Sequence, residues 1–287
     1  MKRLALIILL LSLTTLSLSA QSDTSAQNCI AVMGDSLPQG NFVSQLPGTA
    51  VVVLQSRQVA QILDDALQAR DLIHYGIYDL SLSASGIVDP DAEQYLESRE
   101  YLLGRSLNCR YTVIFPFLND LYNADNLNTG ITDYQRGLTE MLNGIRTESP
   151  DSNIILMSFY HTTLMGVGNE TYGDNVSLAH VGGMNAVHDN ACGTNPIIHC
   201  LPMDELLNPI ENYVVSRITR DNYQTFGYRP VNLEDQATID AYWANDPAAI
   251  IFGDGLHLNT DGQVRVVATL MSYFSQIDPI NFAPILQ

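Results

Sequence analysis

Short apolar runs alternate along this chain with segments whose apolar residues recur at helical spacing. Short runs rich in β-branched and other apolar side chains are typical of buried strands. Such strands are predicted at 29–33, within 72–82, and at 111–117, 153–159 and 196–201. Helices are predicted at 57–69, from 89–91 onward, at 133–146, at 177–191 and after Gln263. The pattern therefore indicates a regular alternation of strand and helix.

This alternation predicts the fold class. Parallel strands need crossover connections, which are usually helices, and those helices cover both faces of the sheet. Strands that are buried on both faces have continuous apolar runs instead of alternating ones, as this chain does. We therefore expect an α/β protein with three layers, α/β/α, built on a parallel central sheet.

The first twenty residues differ in character from the rest of the chain. Lys2 and Arg3 precede an apolar run at 4–13, and small residues follow up to Ala20. This order is typical of a secretory signal peptide, and the short run favours cleavage over an uncleaved membrane anchor. We expect a signal peptide at residues 1–20, a single domain at residues 21–287 and a secreted or periplasmic protein without stable membrane insertion.

One long segment, 202–249, has no clear strand and helix alternation. It combines apolar residues at helical spacing with a polar stretch that contains several tyrosines. A lid on the substrate side is one interpretation of it. A plain surface elaboration is the other, and it is favoured because most insertions carry no chemistry.

The charge of the chain restricts its partners. The sequence has 31 acidic residues against 13 Lys and Arg, a net charge of −18. Such a surface repels phosphate backbones, so nucleic acid is not an expected partner. Lys2 is the only lysine and lies in the predicted signal peptide. Schiff-base chemistry and a Walker-type phosphate loop are therefore excluded for the mature chain.

A serine follows the first predicted strand directly, in Gly34-Asp35-Ser36-Leu37. Reactive groups of open parallel sheets collect at the carboxyl ends of the strands. A serine on the turn into a helix is exposed to substrate there and lies near backbone N–H groups. Ser36 is therefore a candidate nucleophile, although a Gly-Asp-Ser triplet by itself also fits an ordinary turn.

A histidine near the C-terminus could activate this serine. The segment Asp254-Gly255-Leu256-His257 places a carboxylate three residues before an imidazole. Serine needs a base within hydrogen-bonding reach, and histidine is the usual one. A carboxylate then orients the ring and stabilises the imidazolium that forms. We interpret His257 as the general base and Asp254 as its partner, the alternative being a solvated Asp-Gly turn.

Two further residues are candidates for stabilising negative charge. Acyl transfer passes through an oxyanion that needs hydrogen-bond donors aimed at it. Three such donors follow predicted strands: the Ser36 backbone N–H, the Gly86 backbone N–H and the Asn119 side-chain amide. They are therefore expected at the catalytic edge of the sheet, although Gly86 alone fits a turn and Asn119 alone fits a loop cap.

These segments, in this order, resemble the SGNH (GDSL-type) hydrolase family over essentially the whole mature chain. The resemblance implies a flavodoxin-like sheet, Ser36, His257 and Asp254 as the catalytic triad, and an oxyanion hole of Ser36, Gly86 and Asn119. The family usually has Gly-X-Asn-Asp where this chain has Phe117-Leu118-Asn119-Asp120. Phe117 is therefore expected to change the adjacent backbone or the acyl pocket.

The function that the resemblance implies is hydrolysis of carboxylic esters. An acetylated carbohydrate, a short-chain acyl ester or a lipid are the substrate classes considered. No cofactor and no metal are expected, and the oligomeric state is left open. An acyltransferase with the same triad and a secreted binding protein on the same fold are the alternatives.

The four cysteines are expected to form two disulfides, since an even number in an exported chain favours pairing. The resemblance implies Cys29–Cys109 and Cys192–Cys200, because the flavodoxin-like sheet places its first and third strands side by side. The less favoured interpretation is a zinc cluster of His188, Cys192, His199 and Cys200. Glycosylation at the sequons of Asn169 and Asn175 depends on the source.

Overall fold

The structure is a computed structural model of the chain. The residues that it describes are 26–45, 51–88, 93–122, 127–160, 178–203, 257–258 and 260–282. The predicted signal peptide, both sequons, Asp254 and all but the first two residues of the 202–249 segment lie outside these ranges.

The described elements alternate as the hydrophobic pattern predicts. The strands are β1 (Gln27–Gly34), β2 (Asn41–Gln45), β3 (Val51–Gln55), β4 (Gly76–Ser81), β5 (Ser85–Gly86), β6 (Glu93–Gln94), β7 (Cys109–Ile114), β8 (Asn153–Met157) and β9 (Ile198–Leu201). The α-helices are α1 (Ser36–Gln39), α2 (Val59–Gln68), α3 (Arg99–Ser106), α4 (Asn119–Tyr122), α5 (Leu127–Glu148), α6 (Leu178–Gly193), α7 (Thr260–Ile277) and α8 (Pro279–Phe282). A 3₁₀ turn, Tyr95–Glu97, precedes α3.

A parallel sheet of five strands forms the centre of the protein, in the order β4-β1-β7-β8-β9. Numbered along the chain among themselves, these strands run 2-1-3-4-5. The flavodoxin-like order implied by the resemblance is therefore confirmed. The order brings the carboxyl ends of β1 and β7 side by side, which places Ser36 near the loop of Asn119.

Helices cover both faces of this sheet. Every residue of β1 from Cys29 onward is buried, and so is nearly every residue of β7 and β8. Consecutive buried residues point to opposite faces of a sheet, so both faces are covered. One helical group consists of α2 packed on α7, and the other of α5 packed on α3 and α6. The predicted three-layer α/β/α class is confirmed.

The start of one predicted helix is wrong. Helicity was predicted from 89–91 onward, but α3 begins at Arg99. Ser98 caps this helix through its side chain, which accepts a hydrogen bond from the Tyr101 backbone N–H at 3.1 Å. The preceding strand β6 pairs with β5 and holds the chain extended. Leu102 and Leu103 of α3 are 44% and 40% exposed.

Two other differences concern strands. The third strand of the sheet ends at Ile114 and not at 117, so the following apolar residues belong to a buried loop. The sequence interpretation also missed the antiparallel pair β2 and β3. Its signal was present, because the β-branched run 51–53 follows a Pro47-Gly48 turn dipeptide.

Both implied cysteine pairs lie at disulfide distance. The Cα atoms of Cys29 and Cys109 are 4.8 Å apart, and those of Cys192 and Cys200 are 5.7 Å apart. The first pair is buried and joins β1 to β7 near their amino ends. The second joins the last turn of α6 to β9. Among the helices that the structure describes, none has the length and apolar character needed to cross a bilayer.

We predict that the two disulfides contribute unequally to stability. Cys29→Ala with Cys109→Ala opens a loop of 80 residues, whereas Cys192→Ala with Cys200→Ala opens one of 8. Loop entropy gives about 4.5 kcal/mol for the first and about 2.5 kcal/mol for the second. Urea unfolding of both double variants measures this, and a larger loss for the Cys192 and Cys200 variant would contradict it.

Candidate active site

Ser36 lies where the sequence pattern predicts it, at the carboxyl end of β1. It is the first residue of the four-residue helix α1. Asp35 is the N-cap of this helix, and its carboxylate accepts a hydrogen bond from the Leu37 backbone N–H at 2.9 Å. Ser36 is thereby held on a tight turn from strand to helix, the position expected of a nucleophile on this type of sheet.

Gly34 makes this turn possible. It has a φ of +158°, and a Cβ atom there would lie 2.7 Å from the Phe115 Cβ and 2.8 Å from the Pro38 Cγ. Phe115 directly follows β7, and its backbone N–H donates to the Met33 carbonyl at 2.9 Å. The absence of a side chain at Gly34 therefore lets the serine turn approach the loop after β7 closely.

The Asp35 carboxylate connects these two parts of the site. One oxygen accepts from Leu37, and the other accepts from the Leu118 backbone N–H at 3.2 Å. Asp35 is 1% exposed. Burial raises the pKa of its carboxyl to about 6, although the two backbone hydrogen bonds and the nearby His257 oppose this. The carboxylate thus spans the serine turn and the loop that carries Asn119.

Consecutive side chains of the segment after β7 hold it in place through hydrogen bonds. The Asn119 side-chain nitrogen donates to the Ser85 carbonyl at 2.9 Å. The two Asp120 oxygens accept from the backbone N–H groups of Ile87 and Val88, both at 2.8 Å. The chain on either side of Gly86 is therefore bonded to the loop of Asn119. The structure brings these two predicted donors together at the same edge of the sheet.

His257 lies beside Ser36. Its Nε2 is 2.7 Å from the Ser36 Oγ, although the two residues are 221 positions apart in sequence. His257 precedes α7, which begins at Thr260. Asp254, the predicted partner of this histidine, lies outside the described residues. The serine and the imidazole of the predicted triad are thus within hydrogen-bonding distance.

Phe117, which was expected to change the adjacent backbone or the acyl pocket, has its side chain in the core. Its ring is fully buried and packs against the Tyr95 ring, with centroids 4.7 Å apart. The Tyr95 hydroxyl in turn donates to the Leu80 carbonyl at 2.6 Å. The side chain that replaces the usual glycine of this motif therefore points into the core and supports the loop from behind.

A buried tyrosine and histidine lie behind this loop, and sequence reasoning missed the first of them. The His188 Nδ1 is 2.9 Å from the Met157 carbonyl, and its Nε2 is 2.7 Å from the Tyr134 hydroxyl. A carbonyl only accepts, so Nδ1 carries the proton and the Nε2 of a neutral ring accepts from Tyr134. Burial raises the pKa of Tyr134 well above its usual range, so the phenol stays protonated.

These contacts correct the zinc interpretation of this region. Cys192 and Cys200 are bonded to each other, so neither offers a thiolate. Both ring nitrogens of His188 already have hydrogen-bond partners, the Tyr134 hydroxyl and the Met157 carbonyl. Within the described ranges, no group of three or more His, Cys, Asp or Glu side chains is arranged to hold a metal ion.

Comparisons with known sequences leave the family open. A comparison with protein-family models gave no match, and neither did one with curated protein sequences. The fold, in contrast, has clear relatives among solved structures.

Three examples each align with most of the chain. A protein described as a GDSL-like lipase from Parabacteroides merdae aligns with a TM-score of 0.55 at 12% identity, covering 86% of this chain and 96% of its own. A variant of an acetyl-xylooligosaccharide esterase from Geobacillus Stearmophilus gives 0.53 at 10% identity, with 92% and 97% covered. A lipase/acylhydrolase from Enterococcus faecalis gives 0.50 at 14% identity, with 88% and 97% covered. Likeness at these identities establishes the fold.

We predict a pH dependence of stability that identifies Asp35. Because its pKa is about 6 in the folded chain and 3.8 ordinarily, the folded state binds its proton more tightly. The unfolding free energy of the wild type, minus that of Asp35→Asn, should fall as pH rises from about 4 to about 6. The expected fall is on the order of 3 kcal/mol. Urea unfolding across this range measures it.

Asp278→Asn is the control for this measurement. Burial alone would raise the pKa of Asp278, but hydrogen bonds from Tyr111 and Asn281 outweigh it and lower the pKa. The Asp278 carboxylate therefore stabilises the fold at pH values above its ordinary pKa, and this stabilisation is lost only at more acidic pH. The unfolding free energy of the wild type, minus that of Asp278→Asn, should stay constant between about pH 4 and pH 6. A constant difference in unfolding free energy between the wild type and Asp35→Asn over this range would contradict the raised pKa of Asp35.

Proposed function

We propose that this chain, which has the fold of the SGNH (GDSL-type) hydrolases, is a secreted serine esterase. Ser36 is the nucleophile, His257 the general base and Asp254 the residue that orients it. The observation that carries the proposal is the 2.7 Å separation between the Ser36 Oγ and the His257 Nε2. This distance lies within the range that proton transfer from serine to a histidine base requires.

The proposed reaction begins with attack by Ser36. Its Oγ forms a bond to the ester carbonyl carbon while the His257 Nε2 takes the hydroxyl proton. This assigns the resting proton of His257 to Nδ1, on the side where Asp254 would accept it. The bond from the carbonyl carbon to the alcohol oxygen then breaks, and His257 returns the proton to the departing alcohol. The product of this half-reaction is an acyl-enzyme on Ser36.

Water completes the cycle by the same route. His257 takes a proton from water, whose oxygen bonds to the acyl carbon. The bond between this carbon and the Ser36 Oγ breaks, and the proton passes back to Ser36. The products are a carboxylic acid and the free enzyme. An alcohol in place of water would give acyl transfer, which is the alternative activity of the same residues.

Three donors are proposed to stabilise the tetrahedral intermediates: the backbone N–H groups of Ser36 and Gly86 and the side-chain amide of Asn119. An amide nitrogen has two N–H bonds, so Asn119 can donate to the Ser85 carbonyl and still offer one to substrate. The Ser85 contact fixes the amide before substrate binds. Donors that are fixed in advance need no reorganisation during the reaction, which is why they accelerate it strongly.

The substrate class is proposed as a neutral carboxylic ester. The net charge of −18 disfavours anionic substrates and anionic membrane surfaces. Acetylated carbohydrates, neutral short-chain acyl esters and neutral lipids meet this condition. Two cysteine pairs at disulfide distance support a place outside the cytoplasm, as does the apolar N-terminal run.

The proposed nucleophile is tested with Ser36→Ala. We predict that ester turnover falls by at least about 10⁴-fold, because the covalent route is lost. Labelling by a fluorophosphonate probe should also disappear, while the thermal unfolding midpoint changes little. Activity is measured on p-nitrophenyl esters of increasing acyl length, on acetylated xylan and on glucose pentaacetate.

Ser98→Ala is the matched control for this variant. It also removes a buried serine hydroxyl, the cap of α3, and should lower stability without changing turnover or labelling. Retention of most of the activity by Ser36→Ala would reject the proposed nucleophile. A wild-type protein that neither turns over esters nor reacts with the probe would favour the non-catalytic binding alternative.

The oxyanion role of Asn119 gives a separate prediction. Asn119→Ala should lower kcat by about 10²- to 10³-fold and leave KM nearly unchanged, because the amide serves the transition state more than the bound ester. Steady-state kinetics on the best ester from the panel measures both constants. A rise in KM without a fall in kcat would show that Asn119 binds substrate and does not stabilise charge.

A further inference from the structure

Gln263 is a buried polar residue that the proposed reaction does not use. It lies in the first turn of α7, six positions after His257, and is 1% exposed. Its side-chain nitrogen donates to the Leu37 carbonyl at 2.6 Å, across 226 positions of sequence. The amide therefore joins the helix that follows the proposed base to the helix that begins with the proposed nucleophile.

The Leu37 carbonyl needs such a donor because α1 is so short. A carbonyl in the last turn of a helix has no intrahelical partner. In α1, the Gly40 N–H returns to the Ser36 carbonyl, and Gly40 leaves the helix in the left-handed conformation with a φ of +69°. Gln263 satisfies the next carbonyl, that of Leu37. With Asp35 accepting from the Leu37 N–H, both polar groups of this residue are held by side chains.

Stability alone does not explain an amide at this position. A carbonyl only accepts, so the nitrogen of Gln263 must face Leu37 and the orientation of the amide is fixed. The other end, Oε1, is buried and has no hydrogen-bond partner among the residues that the structure describes. An unsatisfied buried acceptor destabilises the folded state. The neighbouring inward positions Val266 and Val267 are apolar, so an apolar residue would suit the same face of α7.

We infer that Gln263 is a positioning residue, whose hydrogen bond to Leu37 sets the separation between Ser36 and His257. This inference rests on the proposed function. Another hydrogen bond from the start of α7 that the structure describes is accepted by the Thr260 hydroxyl from the Arg57 backbone N–H, just before α2, and it is longer, at 3.3 Å, and exposed. Gln263 supplies the short and buried link.

The test replaces the amide by an apolar side chain of similar length, Gln263→Met. A misplacement of about 1 Å costs on the order of 10²-fold in rate, so the inactivation rate constant at saturating fluorophosphonate should fall at least about 10-fold. The concentration of probe for half-maximal inactivation should stay nearly unchanged. The thermal unfolding midpoint should remain the same or rise, because the orphaned acceptor is gone.

Ser275→Ala is the matched control on the same helix. The Ser275 hydroxyl also donates to a carbonyl of another element, that of Phe282, at 2.7 Å, but at the opposite end of α7. This variant should lower the unfolding midpoint and leave the inactivation rate unchanged. The comparison separates loss of position from general loosening of the helix.

Each outcome decides the inference. Slow inactivation of Gln263→Met at an undiminished unfolding midpoint supports it, and inactivation as fast as wild type overturns it. A rate loss that accompanies a lowered midpoint in both Gln263→Met and Ser275→Ala also overturns it. If Gln263→Met does not fold, Gln263→Leu is judged by the same criteria. If wild type itself does not react with the probe, the proposed function fails and the inference with it.

Discussion

The ionised carboxylate of Asp35 is the constraint on which the site depends. It holds Leu37 with one oxygen and Leu118 with the other, so it joins the serine turn to the loop of Asn119. A buried carboxylate is unfavourable, and burial raises its pKa to about 6. At neutral pH the group is therefore charged at a cost in stability, which two charge-assisted hydrogen bonds only partly offset. Active sites often retain such costs because the geometry is needed for function.

The parallel sheet makes this contact possible. Because β1 and β7 are neighbours, their carboxyl ends deliver Ser36 and Asn119 to one edge. The loop after β7 is then held by different parts of the chain, with Phe117 packed on Tyr95 and Asp120 bonded beside Gly86. None of these contacts is local in sequence. The order of the strands thus determines which loops can cooperate, and buried hydrogen bonds determine how closely they do so.

Much of this arrangement could be predicted from sequence, since apolar periodicity marks the strands and Ser36 and His257 stand in recognisable segments. The pair β2 and β3 was missed although its signal was present, but the missed buried side chains had no such signal. Tyr134 and Gln263 each have a partner that is distant in sequence: the His188 side chain for Tyr134, and for Gln263 the Leu37 carbonyl, which is available because α1 ends there. The predicted start of α3 was wrong for a related reason, because the pairing of β6 with β5 overrides the local helical pattern. Tertiary context of this kind leaves no periodic trace.

The pair of strands β1 and β7 is fastened at both ends, which restricts how the protein can move. Cys29 and Cys109 join the strands near their amino ends, and Asp35 joins the segments just beyond their carboxyl ends. Neither strand can slide along the other without breaking a covalent bond or exposing a buried charge. In the proposed reaction, adjustment to esters of different shape would therefore fall to the surrounding loops, because the segments that carry Ser36 and Asn119 are held to each other.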